Sequence, residues 1–209
     1  MILARVQGHP SRTALQQRLL PLLQPLPTEL LLHQSVPPDP WAGYQQCLRD
    51  IPDRYTHVVV VQDDAIPAAN FAQAVGRIAG RWPDIPVCLF LGAYPAACAT
   101  RVRRAKPDVR YLPLGPSSFM PLVTVLWPVA AAAEFLAWAS TSPRVTRADD
   151  ANGARWLRAT KQQAMVTIPS IVQHDDDAPT VKGGRISIPW TEAWRYALNL
   201  AEDAADYDW

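Results

Sequence analysis

Apolar residues in this chain fall into short runs separated by proline and glycine, and the runs alternate between strand-like and helix-like periods. Ile2 to Val6 reads as a strand ended by Gly8-His9-Pro10-Ser11. A helix is predicted from Ser11 or Thr13, with Leu15, Leu19, Leu20, Leu22 and Leu23 as its apolar stripe. Leu30 to His33 reads as a second strand, and after a proline-rich loop Trp41 to Leu48 forms a short helix. The run from Thr56 to Asp64 carries four consecutive valines (Val58 to Val61) and stops on two adjacent carboxylates, Asp63 and Asp64. With no polar face, this strand is expected to be covered on both sides, as in the middle of a parallel sheet. A helix over about 68–79 and a strand from Val87 to Leu91 follow.

Beyond Gly92 the pattern is less regular. Arg101, Arg103, Arg104, Lys106 and Arg110 form a basic loop before a short strand at Arg110-Tyr111-Leu112. Val123 to Trp127 reads as a strand, Pro128 breaks it, and an Ala-rich helix continues. Arg147-Ala148-Asp149-Asp150 leads a further helix through Trp156 and Leu157. Met165 to Ile168 and Ser170 to His174 are extended, and Trp190 to Tyr207 is amphipathic with an acidic tail. This alternation predicts an α/β fold, a doubly wound mixed sheet flanked by helices. It is read as a single domain, with residues 1–185 as its body and a C-terminal helix and tail over 186–209 packed on it.

Composition narrows the function classes. Hydrophobic residues make up 49% and charged residues 19%, which excludes a disordered chain. A net charge of +1 gives no global drive toward nucleic acid or anionic membrane. Three cysteines without C-x-x-C spacing point to a reduced, cytoplasmic protein. Leu122 to Ala139 is membrane-like in hydropathy, but Pro128 and Glu134 divide it, so strand followed by helix is expected and no membrane span. Arg5 and His9 interrupt the apolar start, which speaks against a signal peptide.

Candidate chemistry sits at three places: Gln62-Asp63-Asp64, Asp149-Asp150, and His174 with Asp175-Asp176-Asp177. Open α/β sheets bind ligands at the carboxyl ends of their strands, where the first of these lies. Neighbouring carboxylates repel each other, so a positive partner is expected beside them. A divalent cation carrying a phosphorylated ligand fits that need. A helix cap is the structural alternative, since Ile66-Pro67 looks like a helix entrance.

In this order and context the three sites resemble those of GT-A-type glycosyltransferases of the family 2 kind. The strand Val58–Val61 with Gln62-Asp63-Asp64 is similar to their D-x-D motif, Arg147-Ala148-Asp149-Asp150 to their base-bearing acidic pair, and Ile168-Pro169-Ser170-Ile171-Val172-Gln173-His174 to their metal-binding histidine segment. The resemblance implies a GT-A-like sheet and an enzyme moving sugar from a UDP- or GDP-sugar to a hydroxyl acceptor, be it a glycan, protein or modified nucleic acid. Asp64 and His174 would hold Mn²⁺ or Mg²⁺, with Asp63 at the ribose or the metal. Asp150, or its neighbour Asp149, would be the base of an inverting displacement. Gly8, His9, Ser11 and Arg12 in the first loop, and Lys182 near Gly183-Gly184, would contact the donor. Gln62 stands where the D-x-D pattern has its first acid, and Asp175-Asp176-Asp177 adds charge close to a diphosphate.

Two rival functions use the same residues. One is a metal-dependent phosphohydrolase or nucleotidyltransferase. The other is a degenerate GT-A-fold binding module, with Gln62 as the sign of lost catalysis. No P-loop, G-x-G-x-x-G, H-E-x-x-H or G-x-S-x-G string is present.

Overall fold

The structure, a computed structural model, describes residues 1–37, 39–91, 108–115, 120, 122–175 and 209. Its strands are β1 (Ile2–Gly8), β2 (Thr28–Leu32), β3 (His57–Gln62), β4 (Ala65–Pro67), β5 (Val87–Cys88), β6 (Tyr111–Leu114), β7 (Thr124–Pro128), β8 (Ala164–Thr167) and β9 (Val172–His174). The helices are α1 (Thr13–Leu19), α2 (Pro40–Leu48), α3 (Phe71–Arg81), α4 (Val129–Thr141) and α5 (Asp149–Thr160). Seven strands form one mixed sheet in the order β2-β1-β3-β7-β5-β8-β6, and β4 pairs with β9 in a separate antiparallel ribbon.

The valine run explains the layering. Side chains alternate across a strand, so Val58 and Val60 enter one core while Val59 and Val61 enter the other. All four are fully buried. Covering each such side chain is worth roughly 1.5–3 kcal/mol, so a strand with no polar face is stable only between two layers. The first layer holds α2, α4 and α5 around an aromatic cluster in which Trp127 stacks on Phe135 with ring centroids 5.2 Å apart and Trp156 lies 5.3 Å from Phe135. The second holds α1 and α3, with Leu19, Phe71, Val75 and Ile78.

Three expectations change in the structure. The sheet is not parallel around β3: β1 runs parallel to it on one side, but β7 is antiparallel on the other. The Thr124–Pro128 segment is as buried and strand-like as the valine run, and nothing in its own pattern records its direction. Ile66-Pro67 is no helix entrance, because Ala65, Ile66 and Pro67 pair with His174, Gln173 and Val172. The helix starts later, after Asn70 in left-handed backbone (φ 53°). The extended segment predicted to reach Leu91 keeps only Val87 and Cys88 in the ladder.

Arg5, inside β1, is buried because it does structural work at the end of α2. It donates to the carbonyls of Cys47 (3.4 Å), Arg49 and Asp50 (3.2 Å) and pairs with Glu29 (2.8 Å), so carbonyls left over at a helix end are satisfied. Cys47 and Cys88 are buried in the core. No helix among the described residues is long and apolar enough to cross a membrane. Cys98, most of the basic loop and the segment from Asp176 to Asp208 lie outside the described residues.

In the first core Trp127 Nε1 donates to the Tyr44 hydroxyl at 2.9 Å. Tyr44→Phe strands that buried indole donor, and we expect a loss of about 1–3 kcal/mol. The check is urea unfolding, where the midpoint should fall while the slope stays unchanged.

Candidate functional site

Strands β1, β2 and β3 are mutually parallel through β1, so Gly8, Leu32 and Gln62 end at one rim. Gly8 is needed for packing there. A Cβ at that position would lie 2.9 Å from Gln16 Nε2 and from Leu30 Cδ1. Its absence lets α1 come down onto the strand ends.

The chain leaves the β3 ladder after Gln62, and Asp63 and Asp64 occupy a turn. The alternation that would send their side chains to opposite faces therefore lapses. Both carboxylates converge on one guanidinium: Arg12 Nη1 lies 2.7 Å from Asp63 Oδ1 and 2.8 Å from Asp64 Oδ2. The positive partner demanded by the acid pair is thus supplied from within the chain. Burial works against the Arg12 charge, but the two carboxylates outweigh it and raise its pKa above its ordinary value.

Asp63 is further held by the His9 backbone N–H (2.8 Å) and by Gln16 Nε2 (3.3 Å), so both of its oxygens are engaged inside the protein. It latches the first loop to β3. Ser11 and His9 turn toward each other, with Ser11 Oγ 2.7 Å from His9 Nδ1. Gln16 was not anticipated from the sequence, yet it stands four residues after Arg12 and so belongs to the same side of the helix.

Asp64 is placed differently. The β4–β9 ribbon sets Ala65 opposite His174, and the Asp175 N–H donates to the Asp64 carbonyl at 2.8 Å. His174 Nε2 consequently lies 3.4 Å from Asp64 Oδ2. The other oxygen, Asp64 Oδ1, is buried without a hydrogen-bond partner. Burial opposes the charge on this carboxyl, but His174 and Arg12 prevail and hold it below its ordinary value of 3.8. Asp175 itself pairs with Arg18 of α1.

A protein-family scan and a search of curated proteins returned no match for this chain. The site must be read from its own chemistry.

Among the described residues no three of His, Cys, Asp and Glu gather into a ready-made metal site. Asp64 and His174 nonetheless fit two positions of a Mg²⁺ or Mn²⁺ shell, because Asp64 Oδ1 is an unsatisfied buried acceptor with an imidazole close by. Such ions are commonly held by one or two protein ligands, with phosphate oxygens and water completing the shell, and imidazole favours Mn²⁺.

The acidic pair at the start of α5 divides in two. Asp149 is buried, at 8% exposure, with Oδ2 accepting from Gln62 Nε2 (3.0 Å) and Oδ1 from the Asp150 N–H (2.9 Å). Burial, reinforced by the charge of Asp150, pushes the Asp149 carboxyl up to about 7. Asp150 is half-buried, and its Oδ1 accepts from the Ala151 N–H at 2.7 Å. Lys182, the remaining predicted donor contact, lies outside the described residues.

Two outcomes follow. The unfolded Asp149 carboxyl titrates near 3.8 and the folded one near 7, so between these values the folded state keeps a proton that the unfolded state releases. Stability contributed by this group therefore declines as the pH rises from about 4 to about 7. Asp149→Asn should lose that slope, as read from urea midpoints across the interval. Arg12→Ala leaves two buried carboxylates face to face and should cost about 3–5 kcal/mol, with added Mn²⁺ raising the melting temperature of the variant more than that of the wild type.

Proposed function

We propose that this chain is a GT-A-type glycosyltransferase, moving a sugar from a UDP- or GDP-sugar to a hydroxyl acceptor with the help of Mn²⁺ or Mg²⁺. The observation that carries this reading is the meeting of Asp64 and His174 at 3.4 Å, from segments far apart in sequence, at the rim where the parallel strands end. The acid pair that leads α5 reaches the same rim through Gln62, which supports a second role for carboxylates there.

In this reading Asp64 and His174 hold the cation. A divalent ion bound by them supplies positive charge to the nucleoside diphosphate as it departs. Arg12, held by Asp63 and Asp64, adds a second cationic group at the rim for the phosphates. Asp63 shapes the first loop through the His9 N–H and Gln16, and leaves direct metal contact to its neighbour. Asp150, the less buried of the α5 pair, takes the proton from the attacking hydroxyl. Direct attack by that hydroxyl inverts the anomeric carbon.

The test is thermal shift with a panel of UDP- and GDP-sugars, with and without Mn²⁺, followed by product analysis with hydroxyl acceptors. We expect a higher melting temperature only when nucleotide and metal are both present, no rise in Asp64→Ala, and a weaker one in His174→Ala. A shift indifferent to metal would favour the binding module. Phosphate release from simple nucleotides without an acceptor would favour the phosphohydrolase.

A further inference from the structure

Gln62 stands immediately before the acid pair Asp63-Asp64, and its surroundings give a reason for an amide. Its Nε2 lies 3.0 Å from Asp149 Oδ2 and 3.5 Å from Gln7 Oε1. Gln7 is its register partner on β1 and donates its own Nε2 to the Pro40 carbonyl at 2.8 Å, at the first turn of α2. A chain of side-chain amides thus joins the ends of β1 and β3 to the starts of two helices.

At the start of α5 the N–H groups of Asp150 and Ala151 are met by the carboxylates of Asp149 and Asp150, and Gln62 holds the first of these carboxylates from outside the helix. Ala148, the residue before the helix, makes no side-chain cap bond. Asn152 folds back on its own segment, accepting from the Thr146 N–H (2.9 Å) and donating to the Thr146 carbonyl (2.7 Å). The first turn is tied to the rest of the protein by Gln62 to Asp149 and by the Trp41 N–H to the Arg147 carbonyl at 3.2 Å. An acid in place of Gln62 would set a second carboxylate against Asp149, and the two could stay in contact only by holding a proton between them. Among the described residues, the ionisable neighbours acting on Asp149 already include Asp150 on its own helix and Asp64 beyond β3, while the Tyr44 hydroxyl on α2 feels its charge. A neutral donor is the side chain this location tolerates.

We propose that Gln62 and Asp149 are a pair of positioning residues: their hydrogen bond fixes the start of α5 against the end of β3 and so sets Asp150 relative to the donor held at Asp64. This rests on the transferase reading above and deepens it. Asp149 is spent on holding the helix, and Asp150 remains to meet the acceptor hydroxyl.

The experiment is a double-mutant cycle on the full chain, with kcat, donor KM and melting temperature measured for each protein. Gln62→Glu should lower kcat about tenfold or more, with donor KM within about twofold of the wild type. Gln62→Ala, a milder change should Gln62→Glu fold poorly, should show the same split. Asp149→Asn should lose less, because its amide oxygen still accepts from Gln62. The double variant Gln62→Glu with Asp149→Asn exchanges donor and acceptor, and should recover kcat to within about threefold of the wild type. Asp150→Asn should abolish transfer in every background. A merely structural role would lower melting temperatures without this rescue of kcat. If Gln62→Glu and Gln62→Ala leave kcat unchanged, or if the single losses simply add in the double variant, the pairing is overturned while the transferase reading stands. If the wild type transfers no sugar, both fall together.

Discussion

Two carboxylates on neighbouring residues cannot both stay ionised in a buried place unless a positive charge sits beside them, and much of the rim answers that requirement. Desolvating each anion costs several kcal/mol even after relaxation, and their mutual repulsion adds to it. Arg12 meets the demand by placing one nitrogen within hydrogen-bond distance of both Asp63 and Asp64. That contact draws the loop after β1 across the end of β3. Asp63 then has the His9 N–H and Gln16 as further donors, and Gly8 supplies the room that α1 needs to approach. The charge problem and the path of the first loop are one problem.

The second half of the chain enters the same place through the short ribbon β4–β9. A ribbon of three residues a side is weak by itself, and here it lies directly after the acid turn. Its register puts His174 against Ala65 and so beside Asp64. One oxygen of Asp64 is shared by Arg12 and His174, while the other is buried and unsatisfied. Such an atom is costly to maintain in a folded protein, and among the described residues Asp64 Oδ1 is the one carboxylate oxygen buried in this way.

Rigidity comes from below. Alternate valines of β3 lock into two different cores, and β7 completes the coverage with Trp127 under Tyr44, Phe135 and Trp156. The four valines would fit either core, so the register is set at the end of the strand, where Gln62 pairs with Gln7 and a shift of one residue would pull Asp63 away from Arg12. The side chains just past its end therefore project from a fixed point. Helix α5 is tied to that point by the Gln62–Asp149 bond. Burial and the charge of Asp150 hold the Asp149 carboxyl well above its ordinary range, while Asp150 stays half-buried.

The sequence by itself determined most of the order in which strands and helices alternate. Four valines in a row require a doubly covered strand, Pro128 separates a strand from an Ala-rich helix, and glycine and proline bound most other segments. It also determined that Asp63 and Asp64 need a cation, since adjacency alone creates the repulsion. Only the tertiary structure decided which cation answers, because Arg12 reaches the pair through a loop whose path depends on α1 packing over Gly8. Strand direction was likewise tertiary: β7 is apolar on both faces, and such a pattern reads the same in either orientation. The pairing of Ile66-Pro67 with Val172 and Gln173, and of Gln62 with Asp149, joins residues remote in the chain. Local pattern carries no information about such contacts, which are fixed only when the sheet closes and brings its strand ends to one rim.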